Sequence, residues 1–270
     1  MDRPLTLDEA LSWDPAVEAL ADQTPLFEPR SQHGYHAVTY GYLVGEVVKR
    51  VSGISLGAYF AQEIAAPLGL DFWIGTPAEA HPRVAPLLAD ELPDSPELTE
   101  AINAFMGPDT ILGRALAAPG GAIRVDPSDT SSNPFNTPEM FAAEVPAANG
   151  ITNAASVARL YAGLIGSIEG VALFDEATLD RARTQLTSGP DAVLMGLDIQ
   201  FSAGWMVPSS VLPLGTEGSS FGHYGYGGSL GFADAQAGIG FGYVMNKTML
   251  GVAGDPRTAG LIQALYAAIG

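Results

Sequence analysis

The run FGHYGYGGSLG, residues 221 to 231, sets His223 six positions ahead of Ser229 in a glycine-dense stretch. Gly227-Gly228-Ser229-Leu230-Gly231 fits Gly-x-Ser-x-Gly, a pattern in which a sharp strand-to-helix turn exposes a serine hydroxyl as a nucleophile. The residues after Ser229 read as another strand rather than a helix, which weighs against that chemistry. A second match, Gly53-Ile54-Ser55-Leu56-Gly57, joins two helical patterns, where Ser55 reads as a helix cap. The histidines His33, His36, His81 and His223 lack metal-ligand spacing, and cysteine is absent. Neither a metal site nor thiolate chemistry is expected. Gly225-x-Gly227 and Gly238-x-Gly240-x-Gly242 lack the strand–turn–helix setting of dinucleotide binding, so no cofactor is expected.

The elements that would position these residues change character along the chain. Thr6-Leu7-Asp8-Glu9 is a capping-box pattern opening a short helix through Trp13. A helix is expected from Val38 to Ser52 with Gly53 as its stop, then another from Ser55 to Pro67. Helical pieces follow near 97–106 and 108–117. Pro119 to Asn149, with five prolines, reads as a long loop bordering a site. Thr152 or Asn153 opens an amphipathic helix with Val157, Leu160, Tyr161, Leu164 and Ile165 at helical spacing, and Asp175 opens another. Strands are expected at Phe201–Val207, Ser220–Tyr224, Ser229–Ala233 and Ile239–Asn246. Asp255-Pro256 then opens a closing helix. The order implies an α+β fold, with a mainly helical subdomain over 1–190 and antiparallel strands plus a C-terminal helix over 191–270.

Composition excludes whole classes of function. The chain has 270 residues, a net charge of −18 and only two lysines, Lys49 and Lys247. Such a polyanion is repelled by nucleic acid and by anionic membranes, so neither is expected as a partner. The acidic N-terminus MDRPLTLDEA lacks an apolar leader pattern, and no apolar run approaches membrane-spanning length. A cytoplasmic location is expected.

Three stretches carry more together than any one alone. They are HGYHAVTYG continuing into YLVGEVVKRVSGISLGAYFAQEIAAPLGL, PAANGITNAASVARLYAGL, and FGHYGYGGS. As a set they resemble the serine β-lactamase-related family, which includes class C β-lactamases, D,D-peptidases and family VIII carboxylesterases. The resemblance runs over nearly the whole chain and implies a β-lactamase/transpeptidase-like fold. It also implies a serine nucleophile in Ser-x-x-Lys, with the lysine and a motif tyrosine as general bases. Tyr35 stands at that tyrosine. His223 and Gly225 stand in the third motif on a cleft-edge strand, and the backbone N–H of Tyr226 would give half of an oxyanion hole. Ala37 stands where the family often has an amide-binding Asn. Asn149 borders the expected cleft as a candidate substrate-binding residue, although a turn residue needs no such role.

The departures matter. Three residues before Lys49 and Lys247 stand Glu46 and Val244, so no Ser-x-x-Lys exists in these 270 residues. The chain therefore resembles the C-terminal two-thirds of the family. It reads as a truncated product, a misassigned start or half of a split protein. A tyrosine near pKa 10 is a base at neutrality only beside positive charge, so Tyr35 without that lysine is expected to be protonated and inert. His223 in place of a permanently charged lysine, and Ala37 in place of Asn, favour an ester over a β-lactam, although a His-containing third motif also suits a D,D-peptidase, so a small ester or amide is the expected substrate. A sheet left with three or four strands would expose an edge and an apolar face, predicting a separate N-terminal segment or a homo-oligomer as partner. The reading is a β-lactamase-related, esterase-like serine hydrolase inactive on its own. The alternatives are a pseudoenzyme binding module and an α/β hydrolase using Ser229 or Ser55.

Overall fold

The computed structural model describes residues 3–90, 93, 95–123, 133–209, 211–212, 214–251 and 254–270. Its helices are α1 (Leu7–Leu11), α2 (Asp14–Ala21), α3 (Thr39–Ser52), α4 (Leu56–Phe60), α5 (Ala66–Leu68), α6 (Pro96–Met106), α7 (Ile111–Leu116), α8 (Pro138–Ala142), α9 (Ala154–Ile165), α10 (Glu176–Arg183) and α11 (Pro256–Ile269). Strands β1 (Phe72–Trp73) and β2 (Ile151–Thr152) form a two-stranded ribbon. A five-stranded antiparallel meander follows from β3 (Gln200–Phe201), β4 (Met206–Val207), β5 (Ser220–Tyr224), β6 (Leu230–Asp234) and β7 (Ile239–Tyr243). The chain divides into two compact units interleaved in sequence. The first holds residues 1–63, 73–151 and 191–196, and the second 64–72, 152–190 and 197–270. The change of secondary structure near residue 190 is thus separate from the grouping by contact.

In the first unit, local chemistry sets the helix ends. The Thr6 hydroxyl accepts from the Glu9 N–H while the Glu9 carboxylate accepts from the Thr6 N–H, closing the capping box of α1. Gly53, in the left-handed region at φ 79°, stops α3 where expected. One face of α3 goes into a core of Leu5, Ala16, Val38, Tyr42, Met140 and Val145. There Gly45 makes room for Trp13, whose indole N–H donates to Glu46 at 2.9 Å. The opposite stripe, Tyr40, Leu43, Val44, Val47 and Val51, is exposed, Val51 at 84%.

In the second unit, the expected strand Phe201–Val207 is two short strands instead. The Ser202 N–H donates to the Trp205 carbonyl at 2.8 Å, so the chain turns between β3 and β4. The meander therefore has five strands rather than three or four. The sheet ends at β7, and among the described residues no strand pairs beyond it. The helix α9, opened by the Asn153 side chain accepting from the Ser156 N–H, packs on β6 and β7. A Cβ at Gly231 would stand 2.8 Å from Val157, and one at Gly242 equally close to Val157 Cβ. The glycines are what let helix and sheet backbones approach. The expected loop from Pro119 to Asn149 also contains structure, namely α8 and a short 3₁₀ turn at Pro134–Asn136, each N-capped by the preceding Thr137 or Asn133 side chain.

Candidate active site

Tyr35 lies four residues before α3, half-buried against the first unit's core. Its backbone N–H donates to Asp191 Oδ1 at 3.2 Å across 156 residues of sequence. The same oxygen accepts from the N–H groups of Val193 and Leu194, both at 2.8 Å. The Ala192 N–H returns the tie by donating to the His33 carbonyl at 3.0 Å. Burial, reinforced by the Asp191 charge, pushes the Tyr35 phenol up to about 12. At neutral pH it is a neutral phenol, able to donate a proton rather than take one.

The other two candidates of this unit are engaged in structure. Ala37 is buried in the same core as Val38 and Tyr42. The Asn149 amide donates to the Met140 and Ala143 carbonyls, both at 2.7 Å, and its oxygen accepts from the Val145 N–H at 3.0 Å. That use of both ends of the amide makes Asn149 a pin for the turn after α8.

In the second unit, His223 sits on β5 opposite Gly231 of β6. Its Nδ1 lies 2.6 Å from the Tyr224 carbonyl, which assigns the proton to that nitrogen. Burial holds the imidazole below its ordinary value, against the opposing pull of that hydrogen bond, so it is neutral at pH 7. Beyond Tyr224 the chain turns tightly. The Gly225 N–H donates to the Ser229 carbonyl at 2.7 Å and the Gly228 N–H to the Gly225 carbonyl at 3.1 Å. Tyr226 stands at the exposed tip of this turn, and among the described residues its N–H has no acceptor. That is the state an oxyanion donor requires.

The structure corrects the Ser229 alternative. Ser229 ends a turn between two antiparallel strands, and the chain runs on into β6, so the strand-to-helix elbow is absent. Ser55 is likewise a cap: its hydroxyl accepts from the Ala58 N–H at 3.2 Å and donates to Glu144 at 2.6 Å.

Two groups with no local sequence signal complete the picture. Asp191 is one, since its partner Tyr35 is remote in sequence. Arg257, at the start of α11, is the other. It pairs with Asp255 through Nε at 3.0 Å, and donates to the Gly227 carbonyl at 2.9 Å and the Lys247 carbonyl at 2.7 Å. It thereby clamps the glycine turn from behind. Gly227 and Gly228 sit at φ 88° and 116°, and a side chain at either would strike Thr248 or Asp255. No group of three or more His, Asp or Glu side chains among the described residues is arranged to hold a metal ion. No helix among them is long and apolar enough to cross a membrane.

The model of the family described as Beta-lactamase matches residues 1–265. The chain belongs to the beta-lactamase family. Esterase/beta-lactamase LipL of Mycobacterium tuberculosis is 30% identical over 223 residues, 80% of this chain and 48% of LipL. The crystal structure of a penicillin-binding protein homolog from Caulobacter crescentus is 34% identical, with a TM-score of 0.80 over 99% of this chain and 67% of that one. A family VIII carboxylesterase structure is 32% identical, with a TM-score of 0.81 over 98% of this chain and 66% of that one. This member of the beta-lactamase family thus has the β-lactamase/transpeptidase-like fold. It spans about half the length of the curated relative and about two thirds of the solved ones.

Proposed function

We propose that this beta-lactamase-family chain carries the tyrosine and third-motif parts of an esterase-type serine hydrolase acting on a small, uncharged ester. The observation that carries the reading is His223. A neutral imidazole stands where a permanently charged lysine would anchor a substrate carboxylate, so a substrate without that carboxylate fits better. The esterase names of the relatives support the same choice. Tyr226 N–H would receive the developing oxyanion, and Tyr35 would exchange the proton of the acyl-transfer steps.

These residues contain no Ser-x-x-Lys, so by themselves they lack the nucleophile and the positive charge that would lower Tyr35. Turnover therefore requires a Ser-x-x-Lys-bearing segment, in the same chain or supplied by another. The test is a fluorophosphonate reaction followed by intact mass. The 270-residue chain alone is expected to stay unlabelled, and to gain one adduct and 4-nitrophenyl ester turnover when a Ser-x-x-Lys segment from a family VIII carboxylesterase is added. An adduct on the chain alone, abolished by Ser229→Ala, would overturn the reading. No adduct in either case would favour a binding role.

A further inference from the structure

The turn Gly225-Tyr226-Gly227-Gly228 has three residues without a side chain, so the direction of the Tyr226 N–H is set by backbone bonds. In a trans peptide the C=O and the following N–H lie in one plane and point opposite ways. The Tyr226 N–H shares its plane with the Gly225 carbonyl, and the Gly228 N–H shares its plane with the Gly227 carbonyl. These planes are joined, because the Gly228 N–H donates to the Gly225 carbonyl at 3.1 Å. Whatever holds the Gly227 carbonyl therefore sets the Gly228 N–H, then the Gly225 carbonyl, and through it the Tyr226 N–H.

The Gly227 carbonyl accepts from the Met249 N–H at 3.0 Å and from Arg257 Nη2 at 2.9 Å. The arginine bond is charge-assisted, the stronger kind. Arg257 is itself fixed from several sides. Its Nε lies 3.0 Å from each Asp255 oxygen, its Nη1 donates to the Lys247 carbonyl at 2.7 Å, and its guanidinium stands 5.9 Å from the Tyr243 ring centroid. The buried Asp255 also accepts from the Arg257 N–H at 2.7 Å, so one carboxylate both caps α11 and aims the guanidinium. Capping α11 requires the carboxylate alone. It does not account for a guanidinium that reaches back 30 residues to the carbonyl of one turn.

We propose that Arg257 is a positioning residue for the oxyanion donor: through Gly227 and Gly228 it sets the direction of the Tyr226 N–H. The inference rests on that N–H meeting the developing charge in the proposed hydrolase. Such a donor is effective because it is held in place before charge develops, so loosening it slows the chemical step more than it weakens substrate binding.

The test is ¹⁵N relaxation of the 270-residue chain, parent against Arg257→Ala. The Tyr226 amide order parameter is expected to fall from about 0.85 to below about 0.6. The Phe221 amide of β5 and the Phe232 amide of β6 should stay as they are in the parent. An unchanged Tyr226 amide overturns the proposal. If Arg257→Ala loosens the whole sheet or does not fold, Arg257→Lys decides, since it keeps a positive partner for Asp255 without reaching both carbonyls. In that variant the Tyr226 amide is expected to loosen while β5 and β6 stay rigid, and equal loosening or none overturns the proposal. With ester turnover restored by a Ser-x-x-Lys segment, Arg257→Lys should lower kcat roughly tenfold and change KM by less than about twofold. An unchanged kcat overturns the proposal. The relaxation measurement uses no substrate, so its failure is distinct from failure of the labelling test.

Discussion

The Tyr35 region and the His223 region are held by opposite means. Tyr35 is placed by a polar tether, a single buried carboxylate that gathers N–H groups from two distant stretches of chain. His223 is placed by local pairing: β5 and β6 are joined by a turn with three glycines and their register follows from it. Phe221, two residues away on the same face, is fully buried and its ring centroid lies 4.7 Å from that of Trp205. The difference teaches that the first region tunes charge and the second fixes geometry. A tether of charge alters a proton affinity when it is changed, whereas a packed hairpin alters stability.

The largest expected effect lies on the packed side. Phe221→Ala should cost about 3–5 kcal/mol in urea denaturation, because it empties a fully buried site among Leu164, Val207 and Ala233. A loss below about 1 kcal/mol would mean that packing is not what holds His223, and the contrast would fail. Next comes the clamp. Arg257→Ala takes the guanidinium away from the buried Asp255 carboxylate, leaving it, among the described residues, only the backbone N–H of residue 257, and should cost about 2 kcal/mol by the same measurement. Arg257→Lys should recover only part, since one ammonium cannot reach the carboxylate and two carbonyls together.

The smallest effect is on the tethered side, and it appears in pH dependence. The folded value of Tyr35, about 12, lies above the ordinary tyrosine value near 10. A raised folded value contributes stability that is intact below about pH 10 and lost as pH rises towards about 12. Tyr35→Phe removes that loss, so the variant should resist alkaline unfolding better than the parent, read by circular dichroism from pH 9 to 12. Parallel alkaline curves for the two would show that Tyr35 is not desolvated, and would remove the ground for treating it as a charge-tuned group.

What the sequence made legible follows the range of the interaction. The Thr6–Glu9 capping box, the Gly53 stop, the Asn153 and Asp255 caps and the β5–β6 hairpin are written within a few residues of where they act, and all are found. The strand expected over Phe201–Val207 is really a hairpin because Ser202 and Trp205 bond each other, a turn that lacks the usual Pro or Asn-Gly marker. Asp191 was out of reach because nothing near Pro190 refers to Tyr35. The pattern of short polar and apolar residues there reads as an ordinary turn. The part Asn149 plays in the turn was hidden for a related reason: its amide bonds backbone groups that only the folded turn brings near it. Arg257 was hidden behind its helix cap, since Asp255-Pro256 explains itself without the clamp.

The seam between α9 and the sheet carries one further consequence. Gly231, Gly240 and Gly242 bring no side chains to that seam: the Val157 and Tyr161 side chains close over Gly231, and helix backbone at Ala154, Ala158 and Ala162 comes up to Gly240 and Gly242. At these three positions the fit is therefore cut on the helix alone, like a key against a plain plate. Substitutions on the helix can trade bulk among themselves, whereas the strands can gain nothing without pushing the helix away. Tolerance to change at this contact is one-sided, and it belongs to α9.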